Sequence, residues 1–173
     1  MSNVKISKLK EIVGDAFVID SPAEMANYLK GQGKPAVVVL PGNTSEVSSI
    51  VKLANEQNVK LAVGGAVTDT QGITGGIAMV MSRMNRILEM DHMNLVAVVE
   101  PGVLHKNLLL KVTEAGLNFP PEPYEVETSS VGGCFAIGDS DSKSFEYGPT
   151  RTFLLGFEMA LPQSLWGNYS SEP

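Results

Sequence analysis

LAVGGAVTDTQGITGG, Leu61 to Gly76, is the stretch that decides the fold. A short apolar run ends in Gly64-Gly65, and a polar loop then leads to Gly75-Gly76. Glycines and threonines this dense turn backbone N–H groups toward something anionic, since no Cβ blocks the approach. Upstream, Ala36 to Leu40 is a continuous valine-rich run, read as a buried strand that Pro41-Gly42 terminates. Asn43 is a good N-cap with Glu46 in capping-box position, and Val47, Ile50, Val51 and Ala54 give the following helix one apolar face to about Gln57. Lys60 to Val63 is the next strand and runs straight into the glycine loop. Strand, helix, strand and glycine turn make a βαβ unit whose strands are parallel.

Further toward the N-terminus, Leu9, Ile12 and Val13 have helical spacing that stops at Gly14. Ser21-Pro22 opens a second short helix, which the Gly31 to Pro35 stretch breaks. Beyond the loop, Ile77 to Met81, Ile87 to Met90 and Leu95 to Glu100 read as strands of an antiparallel meander. Leu104, Leu108, Val112 and Ala115 mark a helix with Gly116 at its C′ position. Phe119 to Pro123 must be extended, because each proline forbids helix to its predecessor. Ser129 to Ile137, around Gly132-Gly133, is a small-residue turn or short helix. Ser140 to Ser144 is a polar loop, and Thr152 to Leu161 is a strand ended by Pro162. From Ser164 the chain shows no periodicity and reads as a tail.

The chain has 173 residues, 43% of them hydrophobic, enough for one domain or two small lobes sharing a core. The net charge of -6 and the lack of a basic run argue against nucleic acid and anionic membrane as partners. No apolar stretch is long enough to span a bilayer, and the N-terminus lacks a signal-peptide core. Cys134 is the only cysteine, which excludes an internal disulfide and fits a cytoplasmic protein.

His92 and His105 have no ligand-spaced partners, so no metal site is expected and both read as ordinary surface histidines. Cys134 has no neighbouring histidine or lysine and reads as a buried small residue. GxGxxG, the Walker loop and a serine elbow are all missing. What remains are the small-residue turns. A diphosphate needs several converging N–H donors, and Gly64, Gly65, Ala66, Val67 and Thr68 offer them, with the Thr68 hydroxyl as one more. Gly132-Gly133 lets backbone approach a flat ring or its chain, with Pro120-Pro121 as a rigid wall. The two glycine pairs then build one dinucleotide site; the alternative is two tight turns in an ordinary α/β domain.

The order of motifs carries a resemblance. PAVVVLPGNTSEVSSIVKLANE, the glycine loop, SRMNRILEMD, VVEPGV, FPPEP, SSVGG and YGPTRTFLLGFEMALP follow one another between Pro35 and Pro162. This series resembles the FAD-linked oxidases of the vanillyl-alcohol oxidase and p-cresol methylhydroxylase type, and within them the glycolate oxidase and D-lactate dehydrogenase branch. The resemblance implies an α+β, two-lobed FAD-binding domain: a small βαβ lobe over residues 1–75 and a mainly antiparallel lobe over 76–162, with 163–173 as a tail. It implies that Pro41 and Gly64 to Thr68 meet the pyrophosphate, with Gly72 at the loop's family glycine. Pro120, Pro121, Thr128, Gly132 and Gly133 would face the flavin, and Tyr147, Gly148 and Thr150 match the family's YGxT stretch. FAD would be held non-covalently, and the substrate would be a 2-hydroxy acid such as glycolate or D-lactate.

The departures set further expectations. Gly64 stands where the family has arginine, Val67 replaces a glycine, and the loop after Gly72 is shorter. CFAIGDSDSKS follows Gly133 in place of the family's Asn and Ala-Gly-Gly. The family continues past Pro162 into an adenine pocket and a cap that carries the catalytic residues, so the second lobe is expected to be incomplete and no catalytic residue is assigned. Three readings stay open: a FAD-binding subunit completed by another chain, a relic that serves as an interaction module, and a truncated product with a foreign tail. A homodimer or a second subunit would cover the exposed apolar surface, at a membrane only through that partner.

Overall fold

The computed structural model describes residues 4–66, 68–69, 73–123, 125–138, 143–161 and 166–170, with 68–69 and 166–170 as backbone only. In chain order the elements are α1 (Ile6–Val13), β1 (Val18–Ile19), α2 (Pro22–Met25), β2 (Leu29–Lys30), β3 (Val37–Val39), α3 (Thr44–Glu56), β4 (Leu61–Gly64), β5 (Thr68–Asp69), β6 (Ile77–Val80), β7 (Ile87–Asp91), β8 (Val96–Val99), α4 (His105–Glu114), α5 (Val131–Ile137), α6 (Ser144–Tyr147), β9 (Gly156–Ala160) and β10 (Trp166–Ser170).

The first lobe is built on a four-stranded sheet of order β1-β3-β6-β4. β3, β6 and β4 run parallel, and β1 lies antiparallel at the edge. Alternate residues serve opposite faces. Val37, Val39, Ile77 and Met79 pack beneath α1 and α3 on Leu9, Ile50 and Leu53. Val38, Leu40, Ala78 and Val80 pack on Ile19 and Met25. A sheet covered on both faces requires unbroken apolar strands, which is what Ala36 to Leu40 and Ile77 to Val80 supply.

Three sequence expectations are corrected here. Ile77 to Met81 is not the first strand of a meander: β6 is inserted between β3 and β4 and is buried along its whole length. Only β7 and β8 form the antiparallel hairpin, with a bulge between Ile87 and Glu89. The stretch after Pro162 is not wholly irregular either, since Trp166–Ser170 pairs with Gly156–Ala160 residue for residue. Its own sequence, with Gly167 and Asn168, carries little strand preference; the pairing comes from β9. The expected strand from Thr152 also starts late, because residues 150–153 form a 3-10 turn.

α3 shows how closely local chemistry was written in the chain. The Asn43 side chain accepts from Glu46 N at 2.9 Å, and Glu46 Oε2 accepts from Gly42 N at 2.8 Å. The first bond satisfies a helix donor that would otherwise lack a partner, and the second ties the Glu46 side chain back to the turn before the cap. A third core joins α4 and α5 to the hairpin, with Val103, Leu108, Val112 and Val131 at its centre and Phe119 and Phe135 packed against them.

Candidate functional site

The parallel strands all point their carboxyl ends the same way. Leu40-Pro41 ends β3, Gly64-Gly65 ends β4, and Met81 follows β6, donating its N–H to Gly64 O at 3.0 Å. The region beyond the carboxyl ends of parallel strands is where open α/β sheets take ligands. Pro41 is buried. Arg83 crosses from behind β6 to close this end: its Nη1 donates to Leu40 O at 2.7 Å, and its guanidinium lies 3.3 Å from the centre of the Phe17 ring. It also pairs with Glu46 at 3.6 Å.

Gly65 is buried at the tip of β4, and a Cβ there would fall 1.5 Å from Ser130 Oγ. Ser130 is the N-cap of α5, the helix whose first turn carries Gly132 and Gly133. The two glycine turns, far apart in sequence, therefore meet through one serine. Among the described residues, the Gly65 and Ala66 N–H groups find no acceptor. Thr68 lies in β5, paired parallel with Leu29 of β2. Val67 and Gly72 lie outside the described residues, as do most of the loop residues expected at Ser140 to Ser144. Gly75-Gly76 is a different kind of turn: both have positive φ, Gly75 N donates to Lys34 O, and Gly76 O accepts from Ala36 N, tying off the opposite end of the sheet.

The second glycine pair contributes space rather than donors. Val131 N donates to Val103 O, Gly132 N to Pro101 O, Gly133 N to Ser130 Oγ and Cys134 N to Ser130 O, so each N–H of the first turn of α5 is already used. Gly132 is glycine because a Cβ would lie 2.6 Å from Pro101 Cβ. Gly133 faces open room, with only Ser130 Oγ, at 3.0 Å, near its would-be Cβ. Pro101 is held in turn by Glu100, a buried carboxylate that takes Arg86 N at 2.8 Å, Nη2 at 2.7 Å and Nε at 3.1 Å. The Arg86 hydrogen bonds hold the Glu100 carboxyl below its ordinary range, against the opposing effect of burial.

His105 is not a surface residue. It is 1% exposed at the start of α4, its backbone N–H donating to Ser129 O at 2.9 Å and its Nε2 lying 2.7 Å from Pro121 O. The ring packs on Phe119, which meets Phe153 edge to face. The proline wall is thus brought up to the strand-like bridge Leu104–Ser130. Pro121 is buried and Pro120 half-buried. Thr128 is exposed, donating to Glu125 Oε2 at 2.7 Å; Lys30 reaches the same carboxylate and holds it below its usual range. Thr150 is buried in the 3-10 turn that packs on α5. Gly148 has φ of 87° at the end of α6, and the Tyr147 ring stands half in solvent.

Gly64 to Ala66 and Gly132-Gly133 therefore meet at Ser130, Pro121 is tied toward that junction through His105, Pro41 ends the neighbouring strand β3, and the side chains of Thr128 and Tyr147 lie outward. Sequence reasoning missed Ser130, His105, Glu100 and Arg83. Ser130 had a signal, a serine directly before an apolar helix start. A histidine among leucines and lysines had none.

A family model described as FAD binding domain matches residues 35–165. Over 134 residues the chain is 34% identical to the glycolate oxidase subunit GlcD of Bacillus subtilis, covering 75% of this chain and 28% of that protein. Over 168 residues it is 35% identical to a D-lactate dehydrogenase of Anaerostipes hadrus, covering 91% of this chain and 35% of that protein. The chain spans about a third of the length of the curated relatives it matches. Among solved structures, substrate-bound p-cresol methylhydroxylase aligns with a TM-score of 0.79 at 19% identity, over 94% of this chain and 34% of that one, a likeness of fold.

Proposed function

Because this chain belongs to the FAD binding domain family of FAD-linked oxidoreductases, we propose that it binds FAD at the meeting point of its two glycine turns and serves as the flavin-binding part of an oxidoreductase acting on a 2-hydroxy acid. The observation that carries this reading is the buried contact between Gly65 and Ser130, which joins the two glycine turns beside N–H groups of Gly65 and Ala66 that have no acceptor among the described residues. A diphosphate is the acceptor that fits: it is anionic and compact, and backbone N–H donors can meet it. Gly133 leaves room beside it for a flat group, and in this reading the Pro120-Pro121 wall would bound that room.

The chain's own residues bind and orient. Gly65 and Ala66 donate to the phosphates, Ser130 fixes the distance between the two turns, and Arg83 closes the strand ends behind Pro41. The bound flavin supplies hydride acceptance from the carbon that bears the substrate hydroxyl. The 2-hydroxy acid rests on the relatives, which are named for glycolate and D-lactate. Titrating FAD into the purified chain tests the reading. Saturable quenching of flavin fluorescence is expected; its failure at high protein concentration sinks the proposal.

A second reading has one observation of its own. Leu88, Met93, Leu95 and Val98 expose large apolar side chains on the β7–β8 hairpin. Exposed apolar clusters mark interaction surfaces, and one relative is named as a subunit. A homodimer or a second subunit seated there is the proposed consequence. Light scattering at micromolar concentration showing a non-aggregating monomer speaks against self-association.

A further inference from the structure

We infer that His105 is a positioning residue of the flavin site: it holds the proline wall at its distance from the Ser130 junction. The inference rests on the FAD reading above and adds a residue to it. Pro120, Pro121 and Pro123 have no backbone N–H, so this segment can donate few backbone bonds to fix itself. Its carbonyls must be held from outside. A carbonyl oxygen only accepts, so the bond at 2.7 Å between His105 Nε2 and Pro121 O requires the proton on Nε2.

The same residue is fastened to the other half of the site. Its backbone N–H donates to Ser129 O, and Leu104 beside it bridges to Ser130, whose side chain caps the helix of Gly133 and touches Gly65. One residue therefore spans from the wall to the junction of the glycine turns. Its burial and its packing on Phe119 leave the ring little freedom to turn away.

The experiment compares wild type with His105→Leu and His105→Gln. Leucine keeps an apolar body and removes the donor; glutamine restores an Nε2 donor the same number of bonds from the backbone. FAD affinity is followed by flavin fluorescence, and amide hydrogen exchange of the 122–130 segment is followed without cofactor. His105→Leu is expected to bind FAD at least about tenfold more weakly, one lost buried hydrogen bond, with faster exchange confined to that segment. His105→Gln is expected to recover most of both. If wild type binds FAD and His105→Leu binds equally well, the positioning role is overturned and the FAD reading stands. Equal weakening in both variants, with exchange raised across the whole chain, also overturns it, because His105 would then be a packing residue only. If wild type itself shows no saturable binding, the FAD reading fails, and the role at the flavin fails with it.

Discussion

A methyl group on Gly65 would sit 1.5 Å from the Ser130 hydroxyl oxygen and 2.5 Å from Ser130 Cβ. The end of β4 and the start of α5 thus meet with no room for a side chain. Gly65→Ala is expected to destabilise the fold by about 1–3 kcal/mol, the ordinary cost of overpacking. Ser130→Gly alone removes a cap at a cost of a few tenths of a kcal/mol, and it vacates the space the alanine needs. The double variant should be more stable than Gly65→Ala alone, as urea unfolding would show. Strict additivity would mean the residues do not touch.

Glu100 gives the fold a defined acid sensitivity. Its carboxyl is held below the ordinary range by Arg86. A depressed folded value means that the unfolded chain takes up the proton first, so stability rises with pH through this window. The contribution is fully present above the unfolded carboxyl value of about 4.3 and is lost as pH falls through the lower folded value. Glu100→Gln should cost about 1.5–3 kcal/mol at neutral pH, a hydrogen bond to a charged group. The difference from wild type should shrink steadily in acid. Parallel stability curves from neutral to acid would show that the Arg86 bridge contributes nothing to folding.

The linkage of the cofactor follows from side-chain chemistry. Residues Gly64 to Gly76 contain no histidine, tyrosine or cysteine, and Cys134 is buried in α5. The first loop offers no imidazole, phenol or thiol to the flavin ring. Acid precipitation of the loaded protein should leave all yellow colour in the supernatant, and coloured pellet would contradict it.

Much of this molecule was legible in the sequence, and the limits are physical. The α3 cap was legible because Asn43 and Glu46 act within one turn, where spacing and geometry are the same thing. The parallel β3 was legible because a strand buried on both faces must be apolar throughout. The same logic applied to Ile77 to Val80, yet two short turns nearby imitated a meander. Which strand inserts between which is a long-range choice that periodicity does not encode. The two glycine pairs were recognisable as special, but not as unlike: among the described residues the Gly65 N–H has no acceptor, whereas those of Gly132 and Gly133 are consumed by Pro101 and Ser130. That difference depends on partners far away in sequence. His105 was read as surface for the same reason, since its partner is a carbonyl, which every residue type shares.

The final test separates donors from space. Gly133 has only Ser130 Oγ near its missing Cβ, so a valine there meets little protein and intrudes on the room beside the junction. Valine also has a somewhat better helix preference than glycine, by a few tenths of a kcal/mol. Gly133→Val should therefore fold as wild type by circular dichroism and lose FAD binding. Val67 stands where the family has glycine, beside the Gly65 and Ala66 donors in sequence. One charge-assisted hydrogen bond is worth about 1.5–3 kcal/mol, roughly ten- to a hundredfold in affinity. Wild type is accordingly expected to bind weakly, on the order of micromolar or poorer, and Val67→Gly should bind more tightly. Fluorescence titration of all three proteins decides it. If Gly133→Val binds as wild type does, the two glycine turns do not share one flavin, whatever Gly65 and Ser130 do for the fold.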